Sequence, residues 1–155
     1  MRVLLDTNVL SEVTRPRPDA HVLQWLDSLD EDRSFISTVS IAEIRRGVAL
    51  MESGRKRDAL AEWLAQDLPQ RFEQRVIPVH QPVAIAWGDL MGLAKRSGRG
   101  LSSTDGLIGA TAIAHDLTLA TRNIKDFEGL GIELVHLGPS ARDDPQSGPP
   151  RDLFV

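Results

Sequence analysis

Cysteine and tyrosine are both absent from the 155 residues. Without thiols there is no disulfide framework, no thiolate metal site and no cysteine nucleophile. Without tyrosine, a stacking surface for single-stranded nucleic acid is not expected, and Trp25, Trp63 and Trp87 read as core or interface residues of helices. No apolar run approaches the roughly 18 residues that a membrane span needs. The first residues meet an acid, Asp6, too early for a secretory leader, so a cytoplasmic protein without membrane attachment is expected. His21, His80, His115 and His136 show neither H-x3-H nor H-E-x-x-H spacing and are read as incidental.

What is present is an ordinary single-domain length with enough apolar residues for a sizeable core. The net charge of −4 and a pI near 5.5 argue against wholesale coating of nucleic acid. A nucleic-acid enzyme stays open, because metal ions and local arginine clusters can supply the positive charge.

Short apolar runs alternate with helical patterns. Residues 2–5, "RVLL", read as a buried strand, and Asp19, after Pro16 and Pro18, as the N-cap of a helix over 19–29. A strand at 34–37 runs into a helix whose Ile41, Ile44, Val48 and Met51 recur every three or four residues, with Gly54 as its stop. A helix over 56–68 is expected to end at Pro69. "RVIPV" at 75–79 is demoted to a sheet edge by Pro78. Helices follow at 82–97 and 103–115, and strands at 118–121 and 132–135. This alternation predicts an α/β fold with a mostly parallel central sheet. Residues 1–137 form one domain, and 138–155, rich in Pro, Gly and charge, read as a loosely ordered tail.

Sheets of this kind bind ligands beyond the carboxyl ends of their strands. Three acids fall at such places: Asp6 in "VLLDTNV", Glu43 in "VSIAEIR" and Asp105 in "SSTDGLIGATA". Each alone is explained by capping. Asp6 can start a helix, Ser40 with Glu43 makes an S-x-x-E capping box, and Ser102 with Asp105 approximates another. Together they are harder to dismiss, because three carboxylates in apolar settings repel one another unless a cation lies between them. Oxygen ligands without cysteine favour Mg²⁺ or Mn²⁺ over Zn²⁺. Such a site suits metal-assisted phosphodiester hydrolysis.

The segments "LLDTNVLSE", "SIAEIRRG" and "SSTDGLIGATAIAHDLTLATRNIKDF", in that order and spacing over residues 2–137, resemble a PIN domain. More narrowly they resemble the VapC toxins of VapBC toxin–antitoxin pairs and their FitB-like relatives. The resemblance implies a three-layer α/β/α domain and a metal-dependent endoribonuclease. Asp6, Glu43 and Asp105 match the family's acidic metal ligands, and Asn8 matches a polar residue that holds the first acid. The fourth acidic position falls on Asn123, a neutral oxygen, with Asp126 three residues on as a weaker substitute. Read by themselves, Asn123 is a helix N-cap and Asp126 a solvated first-turn acid. The resemblance also implies an RNA substrate, a VapB-like antitoxin and a homodimer.

Arg46, Lys95, Arg96, Arg99 and Arg122 are candidates for holding RNA phosphates; any one of them alone reads as an ordinary solvated charge. Leu60, Trp63 and Leu64 offer an apolar patch for the antitoxin. Three rivals are set against this reading: a phosphatase, a nucleotide-binding module and a PIN-like binder. A haloacid-dehalogenase-type phosphatase needs D-x-D, and Asn8 stands at its second acid. A phosphate-binding glycine loop is missing. A catalytically weak PIN-like protein that binds RNA or a partner without cutting is favoured if Asn123 disables the site.

Overall fold

The computed structural model describes residues 1–138, so the expected tail lies, from residue 139 on, outside the described residues. The chain opens with β1 (Val3–Leu5), α1 (Thr7–Leu10), a 3-10 turn (Ser11–Thr14) and α2 (Ala20–Ser28). Then come β2 (Ser34–Ser37), α3 (Thr38–Leu50), α4 (Arg55–Glu62), α5 (Leu68–Phe72) and β3 (Val76–Ile77). The last part holds α6 (Gln81–Arg96), α7 (Ser103–Ala114), β4 (Thr118–Thr121), α8 (Ile124–Phe127) and β5 (Leu134–His136).

The five strands pair in the order β3-β2-β1-β4-β5, and every pairing is parallel. Side chains of a strand alternate between faces, and the core divides accordingly. Val3 and Leu5 pack on one face with Val9, Val22, Ile36 and Phe72. Leu4 packs on the other with Ile108, Ala112, Leu119 and Phe127. Each buried Val, Leu, Ile or Phe side chain among these contributes about 1.5–3 kcal/mol. The result is a sheet covered on both faces, which explains why β1 is apolar throughout and why β2 and β4 carry their hydroxyl residues at their ends.

The chain winds from β1 outward through β2 to β3, then returns to β4 on the other side of β1. The direction of winding therefore reverses between β1 and β4, and a crevice opens there beyond the carboxyl ends of the strands. The register pairs Leu5 with Ala120, so the residues that leave the two strands, Asp6 and Thr121, emerge side by side.

Most elements match expectation, and three do not. Pro69 does not end its helix. A π turn, Trp63–Asp67, precedes it and widens the ladder, so that Leu68 N–H reaches the carbonyl of Trp63. That turn absorbs the missing N–H and the ring clash that would break a regular helix. The helix ends at Phe72, before Glu73 at φ 44°. Second, Ser40 and Glu43 form no capping box. Helix α3 begins earlier and is capped by Ser37, whose hydroxyl accepts from Val39 N–H at 3.0 Å. Third, α3 stops at Leu50, with Met51 extended, and Gly54 instead precedes α4.

Candidate active site

Asp6 is the residue at which β1 stops and α1 begins. Its Oδ1 accepts from Thr7 N–H at 2.7 Å, as an N-cap does. Its Oδ2 accepts from the Thr121 hydroxyl at 2.8 Å, across the β1–β4 boundary. Capping thus takes one oxygen of Asp6 and the cross-strand bond the other, so the cap does not account for the whole carboxylate. The carboxylate is only 4% exposed. Burial, then the charge of Asp105, and to a smaller extent that of Glu43, push its pKa from 3.8 up to about 7, against the pull of the Thr121 and Thr7 hydrogen bonds. Three acids from distant segments therefore act on one another at this crevice.

Glu43 lies in the second turn of α3, freed from any capping duty. Its Oε1 accepts from the Thr7 hydroxyl at 2.7 Å. The Ser40 hydroxyl lies 2.8 Å from the same Thr7 oxygen. Thr7 has one proton and spends it on Glu43, so Ser40 donates to Thr7. Asp105 sits in the first turn of α7, where the helix dipole favours an anion. Ser102, the N-cap, accepts from its backbone N–H at 3.1 Å, as expected.

The donor set is oxygen only and fits a hard divalent cation. Among the described residues, no three Asp, Glu or His side chains already stand in a closed metal cage. The two observations are compatible, since charges repel well beyond the distance at which they ligate one ion.

The other candidates separate clearly. The Asn8 side-chain oxygen is engaged away from Asp6. Two residues on from Asp6, Asn8 faces elsewhere, and its Oδ1 accepts from Arg122 N–H at 3.2 Å. Arg122 is turned into the protein. It follows Thr121, so its side chain leaves on the opposite side, is 6% exposed, and pairs with Glu12 and Asp19 at 2.9 Å each. Asn123 is half-buried. It makes no side-chain cap for α8, and its N–H donates to the Thr121 hydroxyl at 3.0 Å. Asp126 is exposed on α8, and the charges acting on Asp6 are those of Asp105 and Glu43. Arg46, Lys95 and Arg96 are exposed, whereas Arg99 is partly buried and donates to the Lys125 carbonyl at 2.6 Å. Thr7, Ser40 and Thr121 were not among the sequence candidates, although Thr121 stands in the quoted "ATRN". A hydroxyl at a strand end beside an acid is the signal that marks it.

A family model described as the PIN domain matches residues 3–131. Toxin FitB of Neisseria gonorrhoeae is 42% identical over 125 residues, covering 81% of this chain and 90% of that protein. VapC ribonuclease Y4jK of Sinorhizobium fredii is 35% identical over 134 residues, covering 86% and 96%. The crystal structure of FitAcB from Neisseria gonorrhoeae superposes with a TM-score of 0.82 at 39% identity, covering 87% of this chain and 97% of that one.

Proposed function

This chain belongs to the PIN-domain family, among the toxins of toxin–antitoxin pairs, and on that premise we propose that it is a divalent-metal-dependent endoribonuclease. The observation that supports the metal site is Asp6, set at the winding reversal beside two further acids, its pKa raised to about 7 by burial first and then by Asp105 and Glu43. Asp6, Glu43 and Asp105 would hold Mg²⁺, or Mn²⁺. When bound, the ion supplies positive charge for the scissile phosphate and lowers the pKa of water. Thr121 and Thr7 N–H fix the Asp6 carboxylate, one on each oxygen. Glu43, oriented by the Ser40–Thr7 chain of hydroxyls, accepts a proton from the attacking water. The water oxygen bonds to phosphorus as the bond to the leaving ribose oxygen breaks, and that oxygen takes a proton from solvent. Exposed Arg46, Lys95 and Arg96 supply backbone contacts to RNA.

The partner is an antitoxin. A cavity of about 190 Å³, with an apolar floor that includes Leu10, Leu26, Trp63 and Phe72 and with Asp27, Asp67 and Arg71 also in its lining, supports a seat for one of its segments. This shifts the expected patch, because Leu60 and Leu64 are buried and only Trp63 reaches the cavity. For the homodimer we favour the face bearing exposed Ile85 and Ile113. No helix among the described residues is long and apolar enough to cross a membrane, and we place the protein in the cytoplasm. Antitoxin-free protein should cut RNA with Mg²⁺ or Mn²⁺, stop with EDTA, and lose cleavage in Asp6→Asn. RNA binding without cleavage under these conditions would favour the weak or inactive binder.

A further inference from the structure

Arg122 is spent on protein, and what it grips matters. Its Nη1 lies 2.9 Å from Glu12 Oε2, and its Nη2 lies 2.9 Å from Asp19 Oδ2. Glu12, 3% exposed, also accepts from Asp19 N–H through Oε1 at 2.8 Å and lies 3.4 Å from Arg15 Nε. Asp19 caps α2 by accepting from His21 N–H. The guanidinium thus bridges the turn after α1 to the start of α2. Its own backbone N–H is held by Asn8. On one side of it in sequence stands Thr121, whose hydroxyl holds Asp6 and receives Asn123 N–H; on the other stands Asn123 itself.

We infer that Arg122 is a positioning residue for the metal site: anchored on Glu12 and Asp19, it fixes the strand exit from which Thr121 orients Asp6. The inference rests on the reading of Asp6 as a metal ligand. A fork geometry is required, because two carboxylates from different elements must be spanned at once. Lysine keeps the charge that Glu12 needs but is a single point and cannot hold both. Outer partners of metal ligands act in this way, by restricting the ligand before the ion arrives.

The test compares wild type, Arg122→Lys and Asp19→Asn with Leu117→Ala, which cuts a buried side chain at the amino end of β4, away from Asp6. Asn remains a good N-cap, so Asp19→Asn removes one arm of the grip and leaves α2 capped. It also serves if Arg122→Lys does not fold. Two quantities are read well below each melting temperature: the Mn²⁺ dissociation constant by calorimetry without RNA, and kcat and KM for RNA. Arg122→Lys should weaken Mn²⁺ binding and lower kcat by about 10- to 100-fold, with KM for RNA nearly unchanged. Asp19→Asn should move both in the same direction by less, and Leu117→Ala should lower the melting temperature alone. If Arg122→Lys and Asp19→Asn both bind Mn²⁺ as wild type does, the inference is overturned. So it is if their losses only match those of Leu117→Ala at equal stability. If wild type binds Mn²⁺ but does not cut RNA, the nuclease reading fails while the Mn²⁺ constants still decide the role of Arg122. If wild type binds no Mn²⁺, both fall.

Discussion

Two acids six residues apart, Asp6 and Glu12, are almost equally hidden, at 4% and 3% exposure. Their neighbours have opposite sign. Glu12 faces Arg122 and Arg15, and its negative charge is neutralised inside the protein. Asp6 lies near Asp105 and Glu43, and against them stand only the hydrogen bonds from the Thr121 hydroxyl and the Thr7 amide, so its charge is resisted. Burial alone therefore does not distinguish a strut from a reactive site; the charge of the surroundings does.

The contrast predicts opposite outcomes for two similar-looking changes. Asp6→Asn should cut RNA cleavage by on the order of 10³-fold, yet the metal-free protein should melt higher at neutral pH, because a repelled charge is gone. Cleavage measured beside a melting curve checks both halves. Glu12→Leu should lower stability instead: it leaves the buried Arg122 guanidinium with one carboxylate partner fewer and costs about 3–5 kcal/mol. Urea unfolding would measure it, and a loss below 1 kcal/mol would erase the contrast.

The pH response is next in size. Asp6 holds its proton in the folded state up to about pH 7 but releases it near 3.8 when unfolded. Between these values the native state binds more protons, so stability falls as pH rises, by at most about 1.4 kcal/mol per pH unit from this group. Its contribution is complete below the lower value and gone above the upper one. Metal-free melting temperatures across pH 4–8 should show this slope in wild type and lack it in Asp6→Asn; Mg²⁺ should restore wild-type stability at pH 8. The smallest effect is expected from Thr121→Val, which removes one hydrogen bond to a charged group and should lower kcat roughly tenfold. Unchanged kcat would mean that the Thr7 amide alone suffices to hold Asp6.

How far the sequence carried depends on the range of the interaction involved. The strands at 34–37 and 118–121 were legible to the residue, because both are short apolar runs bounded by hydroxyl residues and helix starts. The three acids were legible because apolar surroundings make an isolated carboxylate conspicuous. Pro69 misled because the compensating π turn lies before it and leaves no mark in the residue pattern. Asn8 and Arg122 misled for a different reason: they meet each other 114 positions apart, and Arg122 meets Asp19 across 103. Nothing local announces which of several arginines will be drawn inward. Thr7, Ser40 and Thr121 were overlooked because hydroxyls are common and acquire meaning only once β1 and β4 stand side by side.

Strand β3 has a use that concerns crowding more than catalysis. Parallel sheets leave two open borders, and a long border invites another chain to add itself by backbone pairing. Here the border strand is only Val76–Ile77, and Pro78 next to it has no amide hydrogen to offer. Copies packed closely together can still meet through their helical faces, but this margin gives an incoming strand almost nothing to zip onto.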